Sequence, residues 1–212
     1  MTDKSVEITE IKTTKKGRSA LFSVDGFLFS VDPAIIAAEH IEPGTVLSAS
    51  ELRDLKARSD IQKAEDKAFS ILSVRMNSKK ELRRKLLSKY DEYTVDAVIE
   101  RLDELGYLDD EEYAETVIRQ VAVPRHMSRA AARAYLAGRG IDREISDAAI
   151  EMLPEDETES IMEILSRKYT AEELSDPAKR RKISASLYRK GFRPSDIRRA
   201  IGEALGEDYF ES

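Results

Sequence analysis

The sequence predicts a mainly α-helical protein in which three tandem three-helix repeats form an elongated body, preceded by a small N-terminal antiparallel β meander. Three observations support this fold class. Apolar and polar residues alternate within residues 1–47, around a hairpin signal. From residue 48 onward the apolar spacing is that of amphipathic helices. Comparison of the chain with itself at an offset of 50 residues then reveals a repeat.

Residues 1–47 carry the strand signals. Apolar and polar side chains alternate over residues 6–11, as on a strand with one buried face. The segment KKGRS at 15–19 turns the chain. The pair Asp25-Gly26 lies between two apolar runs and favours a two-residue hairpin, because the primed turns require positive φ. We expect a meander of three strands and then, in the segment IEPGTVL, a turn with a last short strand.

Helix-start signals recur after residue 47. A capping box, in which a serine or threonine and a glutamate three residues later satisfy each other's backbone donors, occurs at Ser48–Glu51, Ser78–Glu81 and Thr170–Glu173. Asp176-Pro177 supplies a cap followed by proline at the first helical position. The predicted domains are a β meander at 1–47, a linking helix at 48–60 and three-helix repeats at 61–109, 110–153 and 154–212.

The repeat aligns the capping residue and the helix that follows it in successive segments. Ser78 meets Ser128 at the offset of 50, and a third copy, with small insertions, places Gly191 opposite Gly140. Each copy holds three helices. The predicted first helices are 61–74, 110–122 and 155–169, the second helices 79–89, 129–138 and 177–190, and the third helices 95–105, 143–152 and 194–205.

Charge is distributed in blocks along the chain. The net charge of -6 argues by itself against a nucleic-acid partner. However, residues 75–90, 119–143 and 179–199 carry seven, six and nine basic residues, each against one acid. The stretches 91–115 and 144–166 carry eleven and eight acids against one base and none. Because charges are screened over roughly 8–10 Å in physiological salt, a nearby phosphate backbone interacts with the local blocks of charge more than with the net charge of the whole chain.

Four adjacent carboxylates, Asp109 to Glu112, lie within GYLDDEEYA at residues 106–114. They could hold a metal or act as acid and base, or they could open a helix. Gly106 suits a helix C-cap, Asp109 can accept the backbone N–H of Glu112, and acids in a first turn face the positive end of the helix dipole. We interpret the stretch as a helix start, because nothing else in the sequence marks the convergent ligands that a metal site or an acid–base pair needs.

No catalytic motif is found in the sequence. The chain has no cysteine, which excludes disulfides, thiolate metal sites and cysteine nucleophiles and fits a reducing compartment. Its two histidines, His40 and His126, form no zinc pair, and no nucleophile elbow is present. No apolar run reaches the roughly 18 residues of a membrane span, and the first residues lack a signal-peptide pattern. We expect a cytoplasmic protein with no enzymatic activity, no cofactor, no metal and no membrane partner.

The basic blocks are the candidate binding site, because they fall on or beside the second helix of every repeat. One basic run is most often a solvated face, but solvation does not require recurrence at related positions. Phosphate contact is independent of sequence and additive in counterion release, so a row of such helices suits a polyanion. The candidate residues are Lys79, Lys80, Arg83, Arg84, Arg125, Arg129, Arg133, Arg180, Arg181, Lys182, Arg189 and Lys190.

Three phrases of the sequence resemble the RecX family of regulatory proteins: RLDELGYLDDEEYA at 101–114, SKKELRRKLLSKY at 78–90 and LYRKGFRPSDIRRAI at 187–201. The first phrase is the specific one, whereas any one basic helix is a weak signal. The likeness covers residues 60–205 in the family's order. One departure is Lys89-Tyr90, which replaces the Lys-Gly or Arg-Gly that ends the corresponding helix in the later repeats.

The resemblance implies three three-helix units forming an elongated curved rod, and a role in restraining the recombinase RecA. Family members bind the RecA filament on DNA, lie along its helical groove and reduce its ATPase, strand-exchange and co-protease activities; they are not enzymes. Longer members have an N-terminal β portion similar to residues 1–47. The expected partners are therefore the RecA nucleoprotein filament and, weakly through phosphate contacts, single-stranded DNA. We expect a monomer, since no exposed heptad seam suggests a coiled-coil dimer.

Two other functions remain open at this point. An autonomous DNA-binding protein, such as a transcription factor, would place one helix of a trio in a groove and bind duplex DNA tightly and selectively without RecA. An adaptor that binds only protein would keep its affinity for its partner after charge reversal of the basic helices.

Overall fold

Strands come first along the chain and helices follow, as predicted. The structure, a computed structural model, describes residues 5–206. Its elements group in two compact units, residues 5–76 with 82–107 and residues 77–81 with 108–206. The predicted fold class, mainly α with a small antiparallel β meander at the N-terminus, is confirmed.

The β portion belongs to the first unit and consists of short antiparallel strands. They are β1 (Val6–Glu7), β2 (Glu10–Thr13), β3 (Ser19–Ser23), β4 (Gly26–Val31) and β5 (Val46–Leu47). Strands β2, β3 and β4 form the meander, while the last short strand, β5, pairs with β1. Ile8, Leu21 and Val31 are fully buried in its core, together with Leu55 of the following helix.

The turn between β3 and β4 lies one residue earlier than predicted. Gly26 pairs with Ser23, so the two turn residues are Val24 and Asp25 rather than Asp25 and Gly26. The Ser23 hydroxyl accepts a hydrogen bond from the backbone N–H of Asp25 at 3.2 Å, which stabilises the turn at this position. Gly26 still has a positive φ, 109°, which is the conformational requirement that suggested the hairpin.

A short helix, α1 (Pro33–Ala38), interrupts the stretch that was predicted to be entirely β. Asp32 caps it, accepting a hydrogen bond from the N–H of Ala34 at 2.8 Å, and proline occupies the first helical position. The Asp-Pro signal that marks the helix after Asp176 was therefore also present here.

Three further helices follow: α2 (Ala49–Leu72), α3 (Lys79–Leu86) and α4 (Glu92–Glu104). Helix α2 is continuous, where a linking helix at 48–60 and a separate helix at 61–74 were expected. The capping box at Ser48–Glu51 starts it with both reciprocal hydrogen bonds. Ala64 and Ala68 are fully buried and let α4 pack closely against α2. The first turn of α3 belongs to the second unit and the remainder to the first.

The second unit contains two apolar cores. Its helices are α5 (Asp110–Val117), which continues as a π-helical turn (Ile118–Ala122), α6 (Arg129–Gly138), α7 (Arg143–Ile150), α8 (Thr158–Lys168), α9 (Ala171–Ser175), α10 (Pro177–Arg189) and α11 (Pro194–Ala204). Residues of α5, α6 and α7 form one core, and residues of α8 to α11 form the other. The capping box at Thr170–Glu173 is confirmed and opens the short helix α9. Asp176 caps α10, as its Asp-Pro signal predicted.

The carboxylates of residues 109–112 open helix α5, as interpreted from the sequence. An oxygen of Asp109 accepts hydrogen bonds from the N–H groups of Glu111 and Glu112, each at 2.9 Å. Asp110, Glu111 and Glu112 occupy the first turn. Gly106 ends α4 with a φ of 73°, as expected for a C-cap.

Replacing Asp109 with alanine is expected to lower the free energy of unfolding by about 1 kcal/mol, because two backbone donors lose their acceptor. Urea denaturation measures the difference. Glu111→Ala is the matched control, since it removes a neighbouring exposed carboxylate without touching the cap, and it should change stability by less than about 0.5 kcal/mol. An equal effect of the two substitutions would contradict the capping role.

Candidate nucleic-acid interface

Helix α10 carries four consecutive cations near its start, at residues 179–182. Ile183 and Leu187 are buried in the second core, so the cationic positions occupy the remaining surface of the helix. Arg181, Lys182 and Arg189 are exposed, and none forms an ion pair with any residue between 5 and 206. The helix contains five Lys or Arg and no acid. Its side chains are therefore available to an external polyanion.

Three predicted binding residues are engaged by acids of the same chain. The ion pairs are Arg83–Asp96 at 2.8 Å, Arg129–Glu151 at 2.5 Å and Arg133–Asp147 at 2.7 Å. The hydrogen bond and the charge of Arg133 hold the pKa of Asp147 below its usual value. Each partner comes from an acidic block, so the acidic and basic blocks partly neutralise each other across neighbouring helices. These three guanidinium groups are less available to phosphates than those of α10.

The other predicted residues divide into two groups. Lys79 is half-buried at the first position of α3, and its N–H donates to Asp110. The predicted cations that form no ion pair within the described residues are Lys80, Arg84, Arg125, Arg180, Arg181, Lys182, Arg189 and Lys190. Of these, Arg125 and Lys190 line one cavity of the second unit, together with Arg167 and Lys168. Sequence reasoning missed the last two because they follow an acidic stretch, outside the basic blocks.

The second unit contains a hydrogen-bond arrangement that occurs twice. At the first junction, between the start of α3 and the end of α6, Ser78 Oγ donates to the carbonyl of Arg139 at 2.5 Å. At the second junction, between the start of α6 and the end of α10, Ser128 Oγ donates to the carbonyl of Lys190 at 2.6 Å. Both serines also cap their own helices. The serines that the repeat aligned thus have the same role.

A carboxylate completes each junction. The N–H of Lys79 donates to Asp110 at 2.9 Å, and that of Arg129 donates to Glu157 at 2.6 Å. Burial raises the pKa of Glu157, against the opposing effect of that backbone hydrogen bond. Each acid satisfies a helix-start N–H that has no partner within its own helix.

Glycine permits the close approach of the helices at both junctions. Gly140 and Gly191 have φ values of 83° and 88°. A Cβ at Gly140 would lie 2.5 Å from the Cβ of Lys80, and one at Gly191 would lie 2.7 Å from Ser128 Oγ. Tyr90, at the equivalent position after α3, instead donates its hydroxyl to the carbonyl of Lys63 in α2 at 3.0 Å. Where the later repeats have glycine, the first repeat thus has a tyrosine that contacts helix α2.

The first junction also contains a buried ionic cluster. Glu81 is 4% exposed and accepts hydrogen bonds from the Tyr113 hydroxyl at 2.9 Å and from Arg139 at 2.7 Å. The guanidinium of Arg139 lies over the Tyr135 ring, 4.8 Å from its centroid. Burial alone would lower the pKa of Arg139, but the hydrogen bond and the charge of Glu81 outweigh it and raise that pKa.

The described residues contain neither a metal cluster nor a membrane-spanning segment. Between residues 5 and 206, no three His, Asp or Glu side chains are placed to hold a metal ion. Over the same range, no helix has both the length and the apolar character that crossing a membrane requires.

Two family models match the chain at the helices described above. The model for the first three-helix domain of RecX matches residues 64–102, and the model for the third three-helix domain of RecX matches residues 155–201. The chain therefore contains two three-helix domains of the RecX type. The resemblance found in the sequence is thereby confirmed.

Relatives of the RecX family align over nearly the whole chain. The regulatory protein RecX of Listeria welshimeri is 28% identical over 211 residues, which cover 95% of this chain and 77% of the relative. The regulatory protein RecX of Clostridioides difficile is 26% identical over 208 residues, which cover 96% and 98%. The regulatory protein RecX of Bacillus velezensis is 28% identical and covers 97% and 78%.

Two solved RecX structures have a similar fold. A crystal structure of regulatory protein RecX superposes with a TM-score of 0.66 at 20% identity and covers 96% of this chain and all of that chain. The crystal structure of RecX from Lactobacillus salivarius superposes with a TM-score of 0.59 at 28% identity and covers 69% of this chain and 97% of its own. Both superpositions show that this chain has a fold similar to that of the solved RecX structures.

Proposed function

We propose that this protein is a non-enzymatic negative regulator of RecA that binds along the groove of the RecA–DNA filament. It reduces ATPase, strand-exchange and co-protease activity, and acts as a cytoplasmic monomer. The observation that carries the proposal is the row of cations on α10, which form no ion pair within the described residues, in a chain whose relatives are named regulatory proteins. The predicted repeats at 61–109, 110–153 and 154–212 are its contact modules.

The chemistry of α10 supports contact with phosphates rather than with base edges. Its cations form no ion pair with any residue between 5 and 206, and phosphate contact needs only positive charge within reach of the backbone. Several weak contacts along a filament add through effective concentration, so no single module has to bind tightly. Arg83, Arg129 and Arg133 support the helices through their ion pairs, and the unpaired cations contact the filament.

The test is a charge reversal on α10. Arg181→Glu combined with Lys182→Glu should raise the concentration of protein needed to inhibit the RecA ATPase on single-stranded DNA by about tenfold, and it should flatten the salt dependence of inhibition. Lys16→Glu with Arg53→Glu is the matched control. It makes the same change in net charge at two exposed cations outside the basic helices that have no ion pair within the described residues.

The outcomes distinguish the candidate functions. Unchanged inhibition by the α10 variant would contradict the filament contact assigned to this helix. Tight and sequence-selective binding of duplex DNA without RecA, in the absence of RecA inhibition, would favour an autonomous DNA-binding protein. Inhibition at protein concentrations far below those that coat the DNA would support action on the filament.

A further inference from the structure

The second junction of the second unit borders a cavity with a cationic rim. Its volume is about 390 Å³. Buried Ile164 and Phe192 contribute to its apolar floor. No Asp or Glu is among the residues that line it. The cations at its rim are Arg125, Arg167, Lys168 and Lys190, of which only Arg167 forms an ion pair within the described residues, with Glu163 at 3.2 Å.

The equivalent position of the first junction holds an ion pair. The repeated hydrogen bonds make Glu81 equivalent to Ala131, because each residue donates its N–H to the capping serine. They also make Arg139 equivalent to Lys190, because each carbonyl accepts from that serine. Glu81 and Arg139 form an ion pair, whereas Ala131 offers Lys190 no carboxylate. The second junction thus has a cation, Lys190, but Ala131 where the first junction has a carboxylate.

The backbone at the cavity wall is unusual. His126, which lines the cavity, has a φ of 48°, in the left-handed region that favours glycine. Its N–H bonds to the carbonyl of Val123 and the next N–H bonds to that of Ala122, which is the hydrogen-bond pattern that normally places glycine at this position. His40 ends α1 with a φ of 51° and the same pattern of hydrogen bonds, so this conformation closes a helix and fixes the backbone of the cavity wall.

We propose that this cavity binds a phosphate group in the place that the Glu81 carboxylate occupies at the first junction. A phosphate offers several acceptor oxygens to the cations of the rim, including Lys190, which forms no ion pair within the described residues. The apolar floor accommodates the nucleoside attached to it. The phosphate belongs either to the backbone of single-stranded DNA or to a free nucleotide. The first source rests on the proposed function and the second does not.

The direct test introduces a carboxylate at position 131, where the first junction has Glu81. Ala131→Glu should place an anion beside Lys190, as Glu81 does beside Arg139, and should weaken phosphate binding by about tenfold because the internal group is already in position. Ala131→Gln is the matched control, with the same length and no charge, and should keep its affinity. Binding of inorganic phosphate, thymidine monophosphate and a short oligothymidylate is followed through the amide NMR signals of residues 131 and 190 in the full chain.

Each outcome decides the proposal. The proposal is supported if the amide NMR signals of wild type and Ala131→Gln shift saturably on adding phosphate and those of Ala131→Glu do not. If the oligothymidylate binds much more tightly than thymidine monophosphate, the phosphate belongs to the DNA backbone. If the two bind with equal affinity, the phosphate belongs to a free nucleotide. Equal binding by all three proteins, or no saturable binding, overturns it. Lys190→Gln tests the same point should Ala131→Glu fail to fold, and an unchanged affinity in Lys190→Gln likewise overturns the proposal.

Inhibition of the RecA ATPase, measured on the same variants, separates this inference from the proposed function. Phosphate binding without any RecA inhibition by wild type leaves the cavity assignment intact and removes the regulatory function. Loss of inhibition in Ala131→Glu with unchanged phosphate and oligothymidylate binding overturns the phosphate assignment, because the cavity then receives a carboxylate of the partner protein.

Discussion

Replacing Glu81 with alanine is expected to lower the free energy of unfolding by about 3 kcal/mol, since removing one partner of a buried ion pair leaves the other uncompensated. The substitution takes the acceptor from the buried Tyr113 hydroxyl and the counter-charge from Arg139. We place the effect at the lower end of the range for buried pairs because the side chain of Arg139 is 30% exposed. Urea denaturation measures the change.

Two variants show whether burial is the cause. Glu81→Gln keeps an acceptor for Tyr113 and should cost less than alanine. Asp147→Ala breaks the pair with Arg133, whose two side chains are 41% and 46% exposed, and it should cost less than about 1 kcal/mol. If Asp147→Ala proved as costly as Glu81→Ala, the difference in burial would not explain their stabilities.

Features that depend on neighbouring residues were predictable from the sequence. The caps at Ser48, Asp109, Thr170 and Asp176 form as predicted, because each depends on donors within three residues of the cap. The alternation of residues 6–11 predicted one strand, but the structure divides it between β1 and β2, with Ile8 and Thr9 in neither. Helix α1 was missed although it too has a local signal, an aspartate cap followed by proline, because the prediction treated residues 1–47 as entirely β.

Contacts between distant residues were not predictable in the same way. Arg139 lies 58 residues from Glu81 in the sequence, and no periodicity links the two. The alternating charge blocks predicted that acids and bases would neighbour each other, but not that Arg129 and Arg133 would be paired while Arg181 and Lys182 would remain unpaired. That distinction depends on which helix faces pack together, and it changes which candidates are worth mutating.

The absence of a carboxylate at Ala131 was visible in the aligned repeat, yet it had no meaning without the structure. Alanine is a good helix former, and at an exposed helical position it needs no explanation. Only the ion pair at the first junction shows that Ala131 stands where an anion is otherwise supplied. Ala131 is also one of the residues that line the cavity.

Gly191→Ala is expected to lower the free energy of unfolding by about 3 kcal/mol, through two costs that can be separated. The first is the left-handed backbone, which costs an alanine about 1–2 kcal/mol. The second is steric, because the added Cβ would lie 2.7 Å from Ser128 Oγ and 3.0 Å from the Cβ of Ala130. Ser128 would have to move and lose its bonds to the carbonyl of Lys190 and the N–H of Ala131, at a cost of about 1 kcal/mol or more.

Gly106→Ala isolates the first cost. Gly106 also has a positive φ, 73°, but a Cβ there would meet nothing within 4 Å. This variant should therefore lose only about 1–2 kcal/mol, and the excess loss in Gly191→Ala measures the close approach at the second junction. Gly140→Ala should show a similar excess, because its Cβ would lie 2.5 Å from that of Lys80. If all three variants lost the same free energy of unfolding, the added Cβ at the two junctions would cost nothing. Glycine would then be needed there only for its backbone conformation.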